Sequence, residues 1–286
     1  MHIPDGFLSI PVALVCWIIA IAVVSYSLRD SRKTVDKSKI PLIAALGAFV
    51  FAAQMLNFPV LGGTSGHLIG GALLAILLGF SPAVVAMASV LFIQAFIFHD
   101  GGIFALGANL LNMAILAPLA GVTVKKFVSN DYLAVSAASL LSVVAAASLA
   151  SLELYASGVV AFTEIILAMV PVHILIGLGE AAISLAVFAY AANKIPSFSF
   201  TTKRMVMVSV VLALFLSPFA CASPDGLEKT AEDMHFDSLA MDSMTPITLM
   251  ANYLFPFVEN EAVATALAGF CGTAFVFTAL FLVFRR

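Results

Sequence analysis

The feature that most constrains the fold of this chain is a stretch from Ile40 to Phe98 that contains no Asp, Glu, Lys or Arg. His67 is the only ionisable side chain within it. Of the 286 residues, 62% are hydrophobic and 10% are charged, whereas about a quarter of the residues in soluble domains are charged. Long uncharged runs are typical of bilayer spans, which need about 20 apolar residues. The sequence therefore excludes a soluble globular protein and predicts an all-α, polytopic membrane helical bundle.

Charges, Pro and Gly divide the apolar runs into nine predicted spans, seven before Asn193 and two after it. The third and fourth are short for a complete crossing of about 20 residues. The nine lie near residues 9–28, 40–58, 67–80, 82–98, 103–124, 132–154, 160–192, 205–222 and 262–284.

The basic residues predict the orientation of the bundle. With the N-terminus outside and the C-terminus in the cytoplasm, twelve of the thirteen Lys and Arg residues fall in cytoplasmic segments, and only Lys229 falls outside. This distribution follows the positive-inside rule. We therefore expect a multi-pass protein of the inner or plasma membrane. The twelve residues are Arg29, Arg32, Lys33, Lys37, Lys39, Lys125, Lys126, Lys194, Lys203, Arg204, Arg285 and Arg286.

The chain is predicted to contain two units joined by a cytoplasmic linker. Residues 1–192 form the seven-span unit, residues 193–204 form the linker, and residues 205–286 form the two-span unit. Residues 223–261 of the second unit make one sizeable external segment that is strongly acidic. This segment is either a solvated loop or an electrostatic collector of cations. Its acidic residues are Asp225, Glu228, Glu232, Asp233, Asp237, Asp242, Glu259 and Glu261.

The first two residues form a potential chelator of a transition-metal ion. The amine of Met1, the backbone nitrogen of His2 and the imidazole of His2 can close two fused rings around one ion. Ni²⁺, Cu²⁺ and, less readily, Co²⁺ promote loss of the amide proton, and such nitrogen donors favour a square-planar arrangement with one position left open. The alternative is a chance histidine in a frayed terminus.

His67 could fill the open position, because it lies in an irregular Gly-rich reversal on the same predicted outer face as Met1. Irregular backbone at membrane depth survives only where it is buried in protein or lines a cavity. The reversal therefore indicates a pocket. Within it Asn57, Thr64 and Ser65 offer polar groups that could orient nearby donors.

Further polar residues are candidates for the surroundings of this pocket. Asp5 could hydrogen-bond the His2 ring or the Met1 amine, as carboxylates beside metal ligands commonly do. His99 and Asp100 lie in an external turn, where His99 is either solvated or part of the site's surroundings.

Two patterns inside the spans leave their roles open. His173 and Glu180 lie seven residues apart on one helical face. They either hydrogen-bond to each other, serve packing, or take part in ion transport. Ala44, Ala48 and Ala52 form a stripe of small residues that serves either internal packing or a partner-docking face.

These segments resemble the substrate-binding components of energy-coupling-factor nickel and cobalt transporters, called NikM and CbiM. The resemblance covers roughly residues 1–192. Residues 205–286, with Ser-Pro-Asp225-Gly-Leu-Glu228, look like the small companion subunit NikN or CbiN. The matching segments of the larger unit are Met1-His-Ile-Pro-Asp-Gly-Phe-Leu, Asn57-Phe-Pro with Gly-Gly-Thr-Ser-Gly-His67, Asp100-Gly-Gly-Ile, and His173 with Gly-Leu-Gly-Glu180.

The resemblance implies that one metal ion is held by the Met1 amine, the His2 amide nitrogen and the imidazoles of His2 and His67. It also implies partners, namely a transmembrane scaffold subunit and cytoplasmic ATP-binding subunits, and no resident cofactor. Nickel is the expected substrate, and cobalt for cobalamin synthesis is the alternative. Many relatives carry Gln where this chain has His99, which leaves the role of His99 open.

The sequence supports two other functions less well. An ion-coupled secondary metal carrier would use intramembrane carboxylates, for which Glu153, Glu164 and Glu180 are the candidates. A metalloenzyme would need an open water position beside an acid or base, whereas the four nitrogens close the square plane. The sequence contains no GxxxxGK[ST] loop for ATP phosphates, so we expect a transporter subunit and not an enzyme.

Overall fold

A computed structural model describes residues 1–192, 198–241 and 249–285. It confirms the predicted all-α, multi-pass membrane architecture. Seven helices in these residues are long and apolar enough to cross a bilayer. They are Ile10–Thr34, Phe80–Phe98, Leu106–Phe127, Asp131–Ala156, Phe162–Tyr190, Thr202–Phe219 and Glu261–Arg285.

The elements follow the predicted spans in order. Residues 193–197 of the predicted linker and Asp242 of the acidic segment lie outside the described residues, and residues 198–204 of the linker belong to a helix. The helices are α1 (Ile10–Thr34), α2 (Ile40–Gln54), α3 (Gly71–Leu78), α4 (Phe80–Ile93), α5 (Leu106–Asn109), α6 (Ala117–Phe127), α7 (Asp131–Ala156), α8 (Phe162–Ala192), α9 (Phe198–Val211), α10 (Gly226–Asp233) and α11 (Glu261–Arg285). Short π-helical stretches extend α4 (Gln94–Phe98), join α5 to α6 (Leu110–Leu116) and extend α9 (Leu212–Leu216).

The segment between α2 and α4 differs from the prediction. Instead of an irregular reversal, β1 (Phe58–Val60) and β2 (Thr64–Gly66) form an antiparallel hairpin. Its turn contains Gly62 and Gly63, both with positive φ, a conformation that Gly adopts without strain. Helix α3 has only 8 residues, about 12 Å at ~1.5 Å per residue. The third predicted span, 67–80, therefore combines a non-helical stretch with a short helix.

Helix α2 lies inside the protein, packed against α4, α9 and α11. The side chains of Ala44, Ala48 and Ala52 have exposed fractions of 0%, 1% and 0%. The alternative of a partner-docking face at this stripe is therefore wrong for this chain. The small side chains instead let helices of the second unit approach α2 closely, and next to the stripe the side chain of Leu280 fills the space beside Gly47.

The loop between α9 and α11 packs against one end of the first unit through backbone hydrogen bonds. Ser65 donates to the carbonyl of Pro224 at 2.8 Å. Cys221 donates to the carbonyl of Asn57 at 2.8 Å, and Met241 donates to that of Asp5 at 2.8 Å. This loop therefore covers the N-terminus and the hairpin of the first unit.

Candidate metal centre

The N-terminal segment is buried and held by side chains from the start of the α5–α6 helical segment. Met1 has an exposed fraction of 6% and Ile3 of 0%. The side chain of Asn109 accepts a hydrogen bond from the backbone nitrogen of Ile3 at 2.8 Å and donates to its carbonyl at 3.0 Å. This pair of hydrogen bonds directs Met1 and His2 into the protein, so the terminus does not fray.

Asp5 has a different role from the one predicted. Its carboxylate binds neither the His2 ring nor the Met1 amine, and instead accepts backbone hydrogen bonds from three consecutive residues at 3.1, 2.8 and 3.0 Å. Backbone N–H groups at the start of a helical segment have no acceptor within it. The carboxylate of Asp5 supplies this acceptor, and these hydrogen bonds connect the turn after α4 to the N-terminal segment. The three donors are Ile103, Phe104 and Ala105.

The Met1 amine lies between an imidazole and a carboxylate. Its nitrogen is 2.7 Å from Nε2 of His67 and 2.5 Å from Oδ2 of Asp225. Nδ1 of His67 donates to the carbonyl of Leu68 at 3.1 Å, which leaves the lone pair of Nε2 directed at the amine. Burial lowers the pKa of His67 to about 3. The imidazole of His67 is therefore neutral, and the lone pair of its Nε2 is available beside the terminal amine.

The His2 ring lies beside His67. The two ring centroids are 5.4 Å apart and the ring planes differ by 18°. Nδ1 of His2 is 3.0 Å from Oδ1 of Asp100, and Nε2 is 3.2 Å from Oε1 of Gln94. Asp100 thus has the orienting position that Asp5 was predicted to have, and its other oxygen accepts from the hydroxyl of Tyr253.

The polar residues of the hairpin contact the second unit rather than the histidines. The hydroxyl of Thr64 donates to the carbonyl of Pro224 at 3.0 Å, and that of Ser65 donates to the carbonyl of Ser223 at 2.7 Å. Neither of these hydrogen bonds goes to a histidine ring. They hold the segment that leads to Asp225, while Asn57 accepts through its carbonyl from Cys221.

Asp225 is the main residue that the sequence analysis did not single out. It caps α10: Oδ1 accepts from the backbone nitrogens of Leu227 and Glu228, and Glu228 accepts from the backbone nitrogen of Asp225. Burial alone would raise the pKa of the Asp225 carboxyl, but the adjacent Met1 amine brings it below its ordinary value. Asp-x-x-Glu before a helix is a recognisable capping signal. Its contact with a residue 224 positions earlier is not readable from the sequence.

An open cavity of about 900 Å³ leads from the surface to these residues. It lies between the two units, and His2 and His67 are among its lining residues. Its walls carry five carboxyl groups, and a cleft lined mostly by one sign of charge favours ions of the opposite sign. An adjoining cavity is lined by His99 together with His2. The five residues are Asp100, Asp225, Glu228, Glu259 and Glu261.

His173 and Glu180 do not hydrogen-bond to each other. Nδ1 of His173 donates to the carbonyl of Met169 at 2.7 Å within α8, and its ring lies against Gly226 with no room for a side chain there. Glu180 accepts from the backbone nitrogens of Ile69 and Gly70. Mutual satisfaction of the pair is therefore excluded.

Within residues 1–192, 198–241 and 249–285, no three side chains of His, Cys, Asp or Glu lie close enough together to hold a metal ion. Backbone groups at this end of the bundle are further possible donors. The Met1 amine and the His2 amide nitrogen are backbone groups of this kind beside two imidazoles.

Comparison with known proteins gives matches over the whole chain. Residues 2–198 match the family described as the cobalt uptake substrate-specific transmembrane region (CbiM), and residues 202–286 match the PDGLE domain. A putative fused nickel transport protein NikMN of Archaeoglobus fulgidus is 35% identical over 96% of this chain and 95% of its own length. A probable fused nickel transport protein LarMN of Lactiplantibacillus plantarum is 30% identical over 79% of this chain and 75% of its own length.

Two solved structures share the fold of about two thirds or more of this chain. A transition metal transporter matches with a TM-score of 0.63 and 32% identity over 71% of this chain and 97% of its own. A truncated transition metal transporter matches with a TM-score of 0.62 and 33% identity over 67% of this chain and 98% of its own. The resemblance drawn from the sequence is thereby confirmed: the chain belongs to the CbiM family of cobalt uptake substrate-specific transmembrane proteins and carries a PDGLE domain at its C-terminal end.

Proposed function

We propose that this member of a metal-uptake family is the substrate-binding subunit of an energy-coupling-factor transporter, and that it captures Ni²⁺ with four nitrogen donors. The donors are the Met1 amine, the His2 amide nitrogen, Nδ1 of His2 and Nε2 of His67. The observation that carries the proposal is the 2.7 Å distance between the Met1 nitrogen and Nε2 of His67.

That distance suits two neighbouring donors of a square plane. With metal–nitrogen bonds of about 2.0 Å, adjacent donors at right angles are about 2.8 Å apart. The amine and the His2 amide nitrogen close a five-membered ring, and the amide nitrogen and Nδ1 of His2 close a six-membered ring. The remaining corner then lies next to the amine, on the side occupied by His67.

Binding requires two local exchanges of contacts. Nδ1 of His2 faces Asp100 at 3.0 Å, so this nitrogen gives up both the hydrogen bond and its proton when it coordinates an ion. The amine likewise gives up a proton and its ion pair with Asp225. The carboxylates of Asp100 and Asp225 remain beside the bound cation, where their charge favours it.

The remaining parts of the proposal concern the assembly. We propose that residues 1–192 form the metal-binding unit and residues 205–286 the companion unit, with Met1 on the outer side. The basic residues at the ends of α1 and α6 support this orientation. A transmembrane scaffold subunit and cytoplasmic ATP-binding subunits would supply the energy, because the sequence contains no phosphate-binding GxxxxGK[ST] loop.

Nickel is preferred over cobalt because a square plane of four nitrogens that includes a deprotonated amide suits Ni²⁺ better than Co²⁺. The names of the fused relatives, which are nickel transport proteins, agree with this choice. Cobalt remains the alternative substrate. The carrier alternative has less support, since Glu164 is exposed and both buried candidates are hydrogen-bonded inside the protein. Glu180 accepts from two backbone donors, and Glu153 accepts from Asn112 and Cys16.

The test is the metal content and absorption spectrum of the purified chain with a native N-terminus. We expect one Ni²⁺ per chain and the spectrum of low-spin, square-planar Ni²⁺. An octahedral spectrum, or equal retention of Mg²⁺ or Mn²⁺, would rule out the four-nitrogen site.

Acid is expected to weaken nickel binding through the N-terminal donors rather than through His67. Because burial lowers the pKa of His67 to about 3, its imidazole is neutral across the range of about pH 5–7 in which free imidazole titrates. The amine and the His2 amide must each lose a proton, so protons compete with the ion. We expect more than one proton released per Ni²⁺ near pH 7, measured by titration calorimetry in buffers of different ionisation enthalpy. Binding without net proton release would contradict the donor set.

A further inference from the structure

Glu180 contacts the backbone beside His67 from a different helix. Its Oε2 accepts from the nitrogen of Ile69 at 2.7 Å, and its Oε1 accepts from the nitrogen of Gly70 at 3.0 Å. The side chain has an exposed fraction of 0%. A carboxyl group inside a membrane protein is costly unless it is satisfied, and here each oxygen has a donor.

The backbone at this point needs such an acceptor. Gly70 precedes α3 with a left-handed φ of 80° and has no side chain to cap the helix. The N–H groups that lead into a helix have no acceptor inside it. Glu180 in α8 supplies acceptors for the two backbone N–H groups that directly precede α3.

The carbonyl of Ile69 also accepts a hydrogen bond from a side chain. Nε2 of Gln54 donates to it at 2.8 Å, and Nε2 of Gln94 donates to Oε1 of Gln54 at 2.7 Å. Oε1 of Gln94 in turn lies 3.2 Å from Nε2 of His2. A continuous chain of buried polar groups thus joins the His2 ring to the segment that carries His67, and Glu180 is its anchor on α8.

We propose that Glu180 is a positioning residue of the metal centre, which fixes the backbone after His67 so that its imidazole stays beside the Met1 amine. The inference rests on the proposed metal-capture function. Glu180 acts through the backbone of Ile69 and Gly70 and does not itself coordinate the ion.

Glu180→Gln tests the proposal, because it keeps the size of the side chain but replaces one acceptor with an NH₂ group that faces a backbone N–H. Nickel binding by the purified full chain should weaken about 10–100-fold, the usual effect of losing a partner that orients a ligand. The absorption spectrum of the bound metal should move toward that of His67→Ala. Wild-type affinity and spectrum in Glu180→Gln would overturn the proposal.

Glu153→Gln is the matched control. Glu153 is also a buried carboxyl in a spanning helix, with an exposed fraction of 4%, but it accepts from the side chain of Asn112 at 2.8 Å and from Cys16. This variant should bind nickel like the wild type. An equal loss in both variants would show a general effect of removing a buried carboxyl and would overturn the proposal.

A double variant separates positioning of His67 from general destabilisation. In a His67→Ala background, Glu180→Gln should cause no further loss of binding, since the ligand that it positions is absent. A full additional loss would overturn the proposal. If Glu180→Gln is not monodisperse, Glu180→Asp replaces it, because Asp keeps both acceptor oxygens but withdraws them by about 1.5 Å. Wild-type nickel binding by His67→Ala itself would instead refute the proposed function.

Discussion

One residue added before Met1, or acetylation of its amine, is expected to abolish tight nickel binding. Either change removes the amine as a donor and opens the five-membered ring of the chelate. Changes to residues that only orient a ligand already cost about 10–100-fold in affinity, so the loss here should exceed that range. The measurement is nickel stoichiometry and affinity of monodisperse protein.

The control for this experiment is an extension that a protease removes to restore Met1 as the first residue. The structure makes the control necessary, because Met1 and Ile3 are buried and an added residue also disturbs packing. We expect no binding before cleavage and full binding after it. Nickel retained at wild-type stoichiometry by the uncleaved, monodisperse protein would refute the amine as a ligand.

His67→Ala is expected to weaken nickel binding by more than about 100-fold, since it removes a donor rather than a residue that orients one. The three N-terminal nitrogens still capture some metal, but the absorption spectrum should change because a weaker ligand takes the fourth corner. Metal titration and the spectrum of the loaded protein are the measurements. Unchanged values for both would show that His67 is not a ligand.

His235→Ala is the matched control for His67→Ala. His235 is exposed and lies just after α10 in the second unit, so its loss removes an imidazole without touching the candidate site. This variant should keep wild-type affinity and spectrum. A comparable loss would point to metal held at surface histidines.

The helices could be predicted because each depends on a local property. In a bilayer every backbone N–H and C=O must be satisfied within the protein, so a long uncharged run has almost no alternative to a helix. One non-helical stretch within a predicted span is an exception. Residues 67–70 run as a non-helical stretch before α3, where contacts from the side chains of Glu180 and Gln54 satisfy backbone groups of Ile69 and Gly70.

The surroundings of the candidate site were predicted less well, because they depend on pairs of distant residues. Asp5 was expected to orient His2, but Asp100 does so, since Asp5 is occupied by the backbone of residues 103–105. The acidic segment was expected to be either a solvated loop or an electrostatic collector of cations. One residue of it, Asp225, instead contacts the Met1 amine directly.

The sequence by itself determined the membrane class, the order of the helices and the family, because uncharged runs and the opening motif are local features that need no partner to be read. Only the tertiary structure decided which carboxylate faces which nitrogen, that the alanine stripe of α2 is covered by the chain's own helices, and that the second unit closes over the N-terminus. The physical reason is that the chain contains many polar residues of similar type, and only the folded arrangement determines which of them face each other in the shared pocket. That selection depends on distances between segments that lie far apart in the chain.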